Sequence, residues 1–311
     1  MTFSRRPLRR SDVPALARLM AAVNEADEDV VDISETQLLE SFDEPGHDHQ
    51  NGSLAIFDGP ALIGYGVLSA RSAADPVHNM RHEGAVHPSY RGRGIGAELL
   101  AWAEAAAVPL HEKRFPGHPL DLGCGCVSTN EAATALLKGR GYRFVRVFLT
   151  MVRDLAEPVG QAPLAEGLRA EELTADRAED ARLVRDEAFR DHWGSVASSD
   201  EQWDHLLRSG TFRPRYSFVA YEGSEPLAVV LCHEHPGDLF VGLVGTRAAA
   251  RGRGLATALL TRAMALAKAD GLCSASLNVD ADSLTGAVGV YERIGFTTQV
   301  SWTVYRKDLL P

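Results

Sequence analysis

One short segment occurs twice in this chain. Arg91-Gly92-Arg93-Gly94-Ile95-Gly96 returns as Arg251-Gly252-Arg253-Gly254-Leu255-Ala256, 160 positions later. Each copy follows an apolar, strand-like run and leads into a stretch rich in Ala and Leu that reads as a helix. The chain has 311 residues, so the period is about half its length. A chain of that size usually exceeds a single core, and a repeat at half-length predicts two domains on one plan. The segment also constrains chemistry. A glycine-rich turn entering a helix leaves main-chain N–H groups unpaired and pointing outward. The helix dipole adds partial positive charge there, and glycine lets the backbone approach an anion closely. Such a turn suits a phosphate group.

The repeat extends on both sides of the turns. Leu8-Arg9-Arg10 leads into a helix from Pro14 to Ala22, and Leu168-Arg169-Ala170 into one from Ala178 to Phe189. Ser53 to Phe57, the turn Asp58-Gly59 and the run Ala61 to Ser69 read as a hairpin. Tyr216 to Tyr221, Glu222-Gly223 and Pro226 to Cys232 are its counterpart. A strand ending at Val86, or at Val244, then precedes each glycine turn. Helices over Ala97 to Ala107 and Thr257 to Lys268 follow, then strands Asp121 to Val127 and Ser274 to Val279. Each half closes with a short helix, a Gly-aromatic step (Gly141-Tyr142, Gly295-Phe296) and a last strand, Phe144 to Val152 or Thr298 to Arg306. The order in each half is βα(α)βββαβαβ. The turn-rich stretch Glu157 to Pro163 predicts domains over 1–156 and 165–311.

Composition narrows the function classes. The chain is 45% hydrophobic and 24% charged, a globular profile. Its formal net charge of −10 opposes general binding to nucleic acid or an anionic membrane. No apolar run approaches the ~20 residues of a membrane span. The basic start Met1 to Pro7 has no apolar stretch behind it, which predicts a protein without a secretory signal, in the cytoplasm. Cys124, Cys126, Cys232 and Cys273 lack the spacing of a metal site and read as small buried thiols. His47-x-His49 lies in a polar loop without a convergent ligand set, so no metal is expected.

The pattern (Arg/Gln)-x-x-Gly-x-(Gly/Ala), set between strand and helix, resembles the acetyl-CoA-binding signature of GNAT-type N-acetyltransferases. Both copies fit, as Arg91, Gly94, Gly96 and as Arg251, Gly254, Ala256. Val86-His87-Pro88-Ser89-Tyr90 is similar to that family's lead-in, and Tyr291-Glu292-Arg293-Ile294-Gly295-Phe296 to its closing helix. The resemblance covers essentially the whole chain in two copies, in a tandem arrangement like that of the mycothiol-synthase-like group. It implies two α/β (α+β) domains, each a mixed, mostly antiparallel central sheet flanked by helices. It implies acetyl-CoA as cofactor and a small-molecule amine as acceptor. A tandem chain of this kind is expected to be a monomer. A Rossmann site fits poorly, because antiparallel strand signals precede the turn.

The resemblance implies which residues face the coenzyme. In the second half these are Val244, Gly245 and Thr246 on the strand, Arg251, Gly252, Arg253, Gly254, Leu255, Ala256 and Thr257 in the turn, and Ser283 before the closing helix. In the first half they are Val86, His87, Arg91, Gly92, Arg93, Gly94, Ile95, Gly96, Ala97 and Asn130.

Acetyl transfer from a thioester to an amine needs a base for the amine, donors for the developing oxyanion and an acid for the leaving thiolate. In the family a tyrosine on the closing helix commonly serves as that acid. Tyr291 holds the position in the second half, and Leu137, which has no proton to give, in the first. The C-terminal half is therefore expected to be the catalyst and the N-terminal half a degenerate partner. Candidate bases are Glu234 and Asp238, with Asp280 near the splayed strand and Glu83 the first half's analogue. The acceptor side is expected from the early helices and the turn Phe189-Arg190-Asp191-His192-Trp193-Gly194. A non-catalytic acyl-CoA-binding sensor, and a transferase of another acyl chain, are the alternatives.

Overall fold

The computed structural model describes residues 3–30, 33–44, 47–74, 76–190, 199–283 and 285–311. The first half runs β1 (Ser4–Arg6), α1 (Val13–Asp27), α2 (Glu35–Ser41), β2 (Ser53–Asp58), β3 (Ala61–Ala74), β4 (His78–Val86), α3 (Ile95–Glu112), β5 (Leu120–Val127), α4 (Glu131–Gly139) and β6 (Arg143–Asp154). The second runs β7 (Leu168–Glu172), α5 (Ala178–Ala188), α6 (Asp200–Arg208), β8 (Phe218–Glu222), β9 (Glu225–His235), β10 (Asp238–Thr246), α7 (Leu255–Ala269), β11 (Ser274–Asp280), α8 (Ala287–Arg293) and β12 (Thr297–Leu310). This is the element order the repeat predicts. A single 3-10 turn stands between β4 and α3 and again between β10 and α7, at Pro88–Tyr90 and Ala248–Ala250.

The compact units do not coincide with the halves of the repeat. Unit 1 is Met1–Phe148 with Val300–Pro311, and unit 2 is Leu149–Gln299. The turn-rich stretch Glu157 to Pro163 predicts a division between residues 156 and 165, with each half keeping its own last strand. In the structure each unit takes its final strand from the other half of the chain. β12 runs antiparallel to β5, from Trp302 opposite Val127 to Leu310 opposite Leu120. The end of β6 lies beside β11, where the Thr150 hydroxyl donates to Asn278 Oδ1 at 2.9 Å. The apolar side chains explain the assignment. Tyr305 is buried with Leu120, Leu122 and Cys124 in unit 1, while Met151 and Leu155 are buried with Leu277 and Val279 in unit 2.

Both units use one sheet plan. In unit 1 the strands lie in the order β1-β2-β3-β4-β5-β12, and in unit 2 as β7-β8-β9-β10-β11 followed by the end of β6. All described pairings are antiparallel except β4 with β5 and β10 with β11. Each sheet is packed on both faces. In unit 2, α7 buries Leu255, Leu259, Leu260, Ala263 and Met264 on one face, each large side chain contributing about 1.5–3 kcal/mol. On the other face α5 and α6 bury Val184 and Trp203 against Val229 and Leu231. Unit 1 repeats this with α3 on one face and α1 on the other.

Cys124, Cys126 and Cys232 are buried as expected, whereas Cys273 is exposed at the entry to β11. His47 Nδ1 and His49 Nε2 both lie against the Ser41 carbonyl, at 3.1 and 3.2 Å. Among the described residues no helix is long and apolar enough to cross a membrane.

Candidate active site

The two parallel strand pairs part before they end. β4 and β5 are in register from His78 opposite Leu120 to His82 opposite Cys124, and β4 then runs on to Val86. β10 and β11 are in register from Asp238 opposite Ser274 to Val241 opposite Leu277, and β10 runs on to Thr246. The far end of each strand, Glu83 to Val86 or Gly242 to Thr246, thereby runs past its parallel pairing with β5 or β11. An extended amide chain can add to such an edge as a strand does. In unit 2 the parting coincides with a β-bulge: the pairing of β10 with β9 shifts between Val241 and Leu243, with Gly242 as the extra residue. The pairing of β4 with β3 is unbroken across the same region. A lone glycine inside an apolar run was the sequence signal for that bulge.

The splayed strand delivers the chain into the glycine turn. Gly252 and Gly254 have φ of 77° and 76°, as do Gly92 and Gly94 at 74° and 83°. That left-handed backbone is costly for a residue with a Cβ, so conformation sets these four positions. A Cβ at any of them would meet nothing within 4 Å, leaving room above the turn. Gly94 and Gly254 are the N-caps of α3 and α7. The first intrahelical bonds there run from Glu98 N–H to Gly94 and from Ala258 N–H to Gly254. The N–H groups of Leu255, Ala256 and Thr257, and of Ile95, Gly96 and Ala97, therefore have no acceptor within their helix. These amides, the dipole behind them and the open space fit a diphosphate.

The arginines of the turns point elsewhere. Arg251 donates from Nε to Thr246 O at 3.3 Å and from Nη2 to Ala188 O at 3.2 Å. Arg91 donates from both Nη atoms to the carboxylate of Asp27, at 2.7 and 2.9 Å. Arg253 forks onto Glu222 at 3.1 and 2.7 Å. Arg93 donates to Ser89 O at 3.0 Å and lies over the Tyr90 ring. His87 Nδ1 accepts from Ser89 N–H, capping the 3-10 turn.

The closing helices differ between units. Asn130 caps α4, its Oδ1 accepting from Ala133 N–H at 2.9 Å. Ser283 does not cap α8. The N-cap is Gly286 with φ of 66°, and the Ser283 hydroxyl pairs with that of Thr285 at 2.9 Å. The chain makes an extra turn after β11, so the helix begins later than the repeat predicts. Tyr291 on α8 is 8% exposed, in the large apolar core of unit 2 that also holds Val241, Leu277 and Val279. Burial pushes its phenol up to about 12. Its ring meets Phe296 edge-on. Leu137 of α4 is 6% exposed, in the apolar core of unit 1.

The carboxylates fall in distinct settings. Asp238 stands at the start of β10, three residues before the parting, and accepts from the hydroxyls of Ser274 at 2.6 Å and Ser276. Glu234, on β9 next to Asp238's neighbour Leu239, accepts from Arg213 Nε at 2.8 Å. Both lie at the end of the strands away from the glycine turn. Asp280 is 3% exposed and caps the turn after β11, accepting from Asp282 N–H at 3.0 Å. Glu83 is exposed beside Arg81 at 3.1 Å. Of the early turn expected on the acceptor side, Phe189 and Arg190 are described, and Asp191 to Gly194 lie outside the described residues.

The geometry agrees with the relatives. The family model described as Acetyltransferase (GNAT) family matches residues 18–142 and again 179–296. The mycothiol acetyltransferase of Salinispora arenicola is 30% identical, covering 96% of this chain and 95% of its own. That of Streptomyces scabiei is 32% identical over 82% and 79% of the two chains. The crystal structure of a GCN5-related N-acetyltransferase from Sphaerobacter thermophilus superposes with a TM-score of 0.82 at 26% identity, over 99% of this chain and 96% of that one. A tandem GNAT protein of the clavulanic acid biosynthesis pathway shares the fold, with a TM-score of 0.78 at 15% identity over 100% and 99%. Two splayed sheets, two glycine turns and two matches to one family model have a single reading: the chain belongs to the acetyltransferase (GNAT) family and is an N-acetyltransferase that draws its acetyl group from acetyl-CoA.

Proposed function

We propose that unit 2 transfers the acetyl group to a primary amine of a small molecule, and that unit 1 is a non-catalytic partner. The observation that carries this reading is Tyr291: a buried phenol on the closing helix α8, where the closing helix α4 of unit 1 has Leu137. Acetyl-CoA supplies an activated thioester when bound. The chain's part is to hold its diphosphate on the amides of Leu255, Ala256 and Thr257, and its arm along Gly242 to Thr246. Tyr291 keeps its proton through the neutral range, since its pKa is raised to about 12. A neutral donor is what a departing thiolate needs. The amine's proton is assigned to Asp238 or Glu234, the carboxylates at the ends of β10 and β9 away from the glycine turn.

The acceptor of the mycothiol acetyltransferases is the first amine to test, because relatives of that name align over most of this chain. The proposal includes a monomeric chain working in the cytoplasm. Its four cysteines are all free thiols, and its net charge of −10 supports neither nucleic acid nor an anionic membrane as partner.

The test is an acetylation assay over a panel of small amines with wild type and Tyr291→Phe. Loss of the donor is expected to lower kcat by about 100-fold or more with coenzyme affinity unchanged. In the same assay Asp238→Asn and Glu234→Gln show which carboxylate is the base. Undiminished turnover in Tyr291→Phe removes Tyr291 from the reaction.

A further inference from the structure

The first arginine of each glycine turn does the same thing in both units, and it does not face the phosphate cradle. Arg251 reaches back across the sheet to the carbonyl of Ala188, the last residue of α5, while its Nε holds Thr246 O on β10. Arg91 reaches to Asp27, the last residue of α1, while its Nε holds Val86 O on β4 at 3.4 Å. The helix ends differ in sequence, a carboxylate in one and a carbonyl in the other, yet the arginine joins the same two elements. Asn130 adds a third contact to Asp27 at 3.2 Å.

In unit 2 further contacts seat the same helix end. Arg247 donates from Nε to Glu187 at 2.7 Å and from Nη1 to Glu225 at 2.9 Å. Gly245 lies directly beneath: a Cβ there would come within 3.2 Å of Ala188 Cβ and 3.6 Å of Phe189 Cε2. The end of α5 thus forms a wall over the splayed segment of β10, on the face opposite α7.

We propose that Arg251 is a positioning residue that clamps the carboxyl end of α5 onto the splayed segment of β10, so fixing the wall against which the acceptor amine is placed, and is not a ligand of the coenzyme's diphosphate. This rests on the reading of unit 2 as the transferase. The diphosphate is left to the main-chain amides, since Arg253 is also engaged, by Glu222. The acceptor-facing wall and the coenzyme strand are tied by one side chain, so loss of that side chain loosens the wall and leaves the cradle intact.

The experiment compares Arg251→Ala and Arg251→Lys with wild type in three measurements. Calorimetry reads the affinity for 3′-phosphoadenosine 5′-diphosphate, the coenzyme's head without its arm. Steady-state assays at saturating acetyl-CoA read kcat and the KM of the amine. Hydrogen exchange reads the amides of residues 185–190. For Arg251→Ala the head-group Kd is expected to stay within about twofold of wild type, while the amine KM rises about tenfold, the scale of a lost charged hydrogen bond. Exchange at the end of α5 accelerates, and Arg251→Lys recovers part of both effects. A head-group Kd raised about tenfold or more would make Arg251 a phosphate ligand and overturn the proposal. Unchanged KM and exchange would overturn it as well. If wild type acetylates no amine, the transferase reading fails by itself, and the head-group and exchange measurements still decide the clamp.

Discussion

The two units keep the same backbone at the glycine turn and different side chains around it. Gly92, Gly94, Gly252 and Gly254 share one left-handed conformation, and α3 and α7 begin identically after them. Away from the turn they diverge. Unit 2 has the bulge at Gly242 and Tyr291; unit 1 has an unbroken ladder, a buried His82 and Leu137. The cradle is made of main-chain groups, so almost any sequence with the right glycines preserves it. Proton transfer needs a particular side chain at a particular place, and one substitution removes it. A duplicated fold can therefore lose chemistry while keeping the shape of a ligand site.

The sharpest way to break this comparison is to remove the exchanged strand. A chain ending at Gln299 is expected to leave unit 1 unable to fold, with a loss on the scale of a domain's whole stability of about 5–15 kcal/mol. The edge of β5 then lies uncovered and Tyr305, Leu309 and Leu310 are gone from its core. Limited proteolysis followed by mass spectrometry reads it: residues 1–148 become cleavable while 149–299 resist. Next in size are the paired glycine variants. Gly254→Val forces a β-branched residue into a φ of 76° and is expected to weaken coenzyme binding and activity by about 10- to 100-fold. Gly94→Val strains the backbone equally and, on the proposal that unit 2 is the catalyst, should leave turnover within about twofold. Equal losses in both variants would erase the functional difference between units.

The smallest expected effect is a pH dependence confined to unit 1. Burial lowers His78 and His82 from 6.5 to about 4. The unfolded chain then binds more protons than the folded one between those values, so stability rises with pH through the window and falls as pH drops from 6.5 towards 4. Thermal melts across that range check it, and His82→Gln should flatten the slope.

Much of this was legible in advance because it is written in local signals. Glycine spacing, Ala/Leu-rich helices and hairpin turns gave the element order and both cradles. Tyr291 against Leu137 followed from counting along the closing helices. Three features were hidden because they depend on partners far away in the chain. The exchange of β6 and β12 was one: both strands carry similar apolar alternation, and either suits either sheet by pattern alone. The direction of Arg91 and Arg251 was another, since a guanidinium beside a phosphate turn reads as a phosphate ligand until the helix end behind it is seen. The late start of α8 was the third. Ser283 has the right residue type for a cap, but Gly286 takes the left-handed turn that begins the helix.

The crossed-over β12 also sets an order of events at birth. Ser128 and Thr303, whose hydroxyls meet at 2.8 Å, are 175 residues apart. At about 5–20 residues per second, a ribosome needs about 9–35 s to make the stretch of 175 residues between them. Through that interval the amino-terminal sheet waits with a raw flank, while the carboxy-terminal one already has its borrowed strand in hand. Unit 2 is thus able to mature first, and the nascent protein has a built-in period in which molecular chaperones have something to guard.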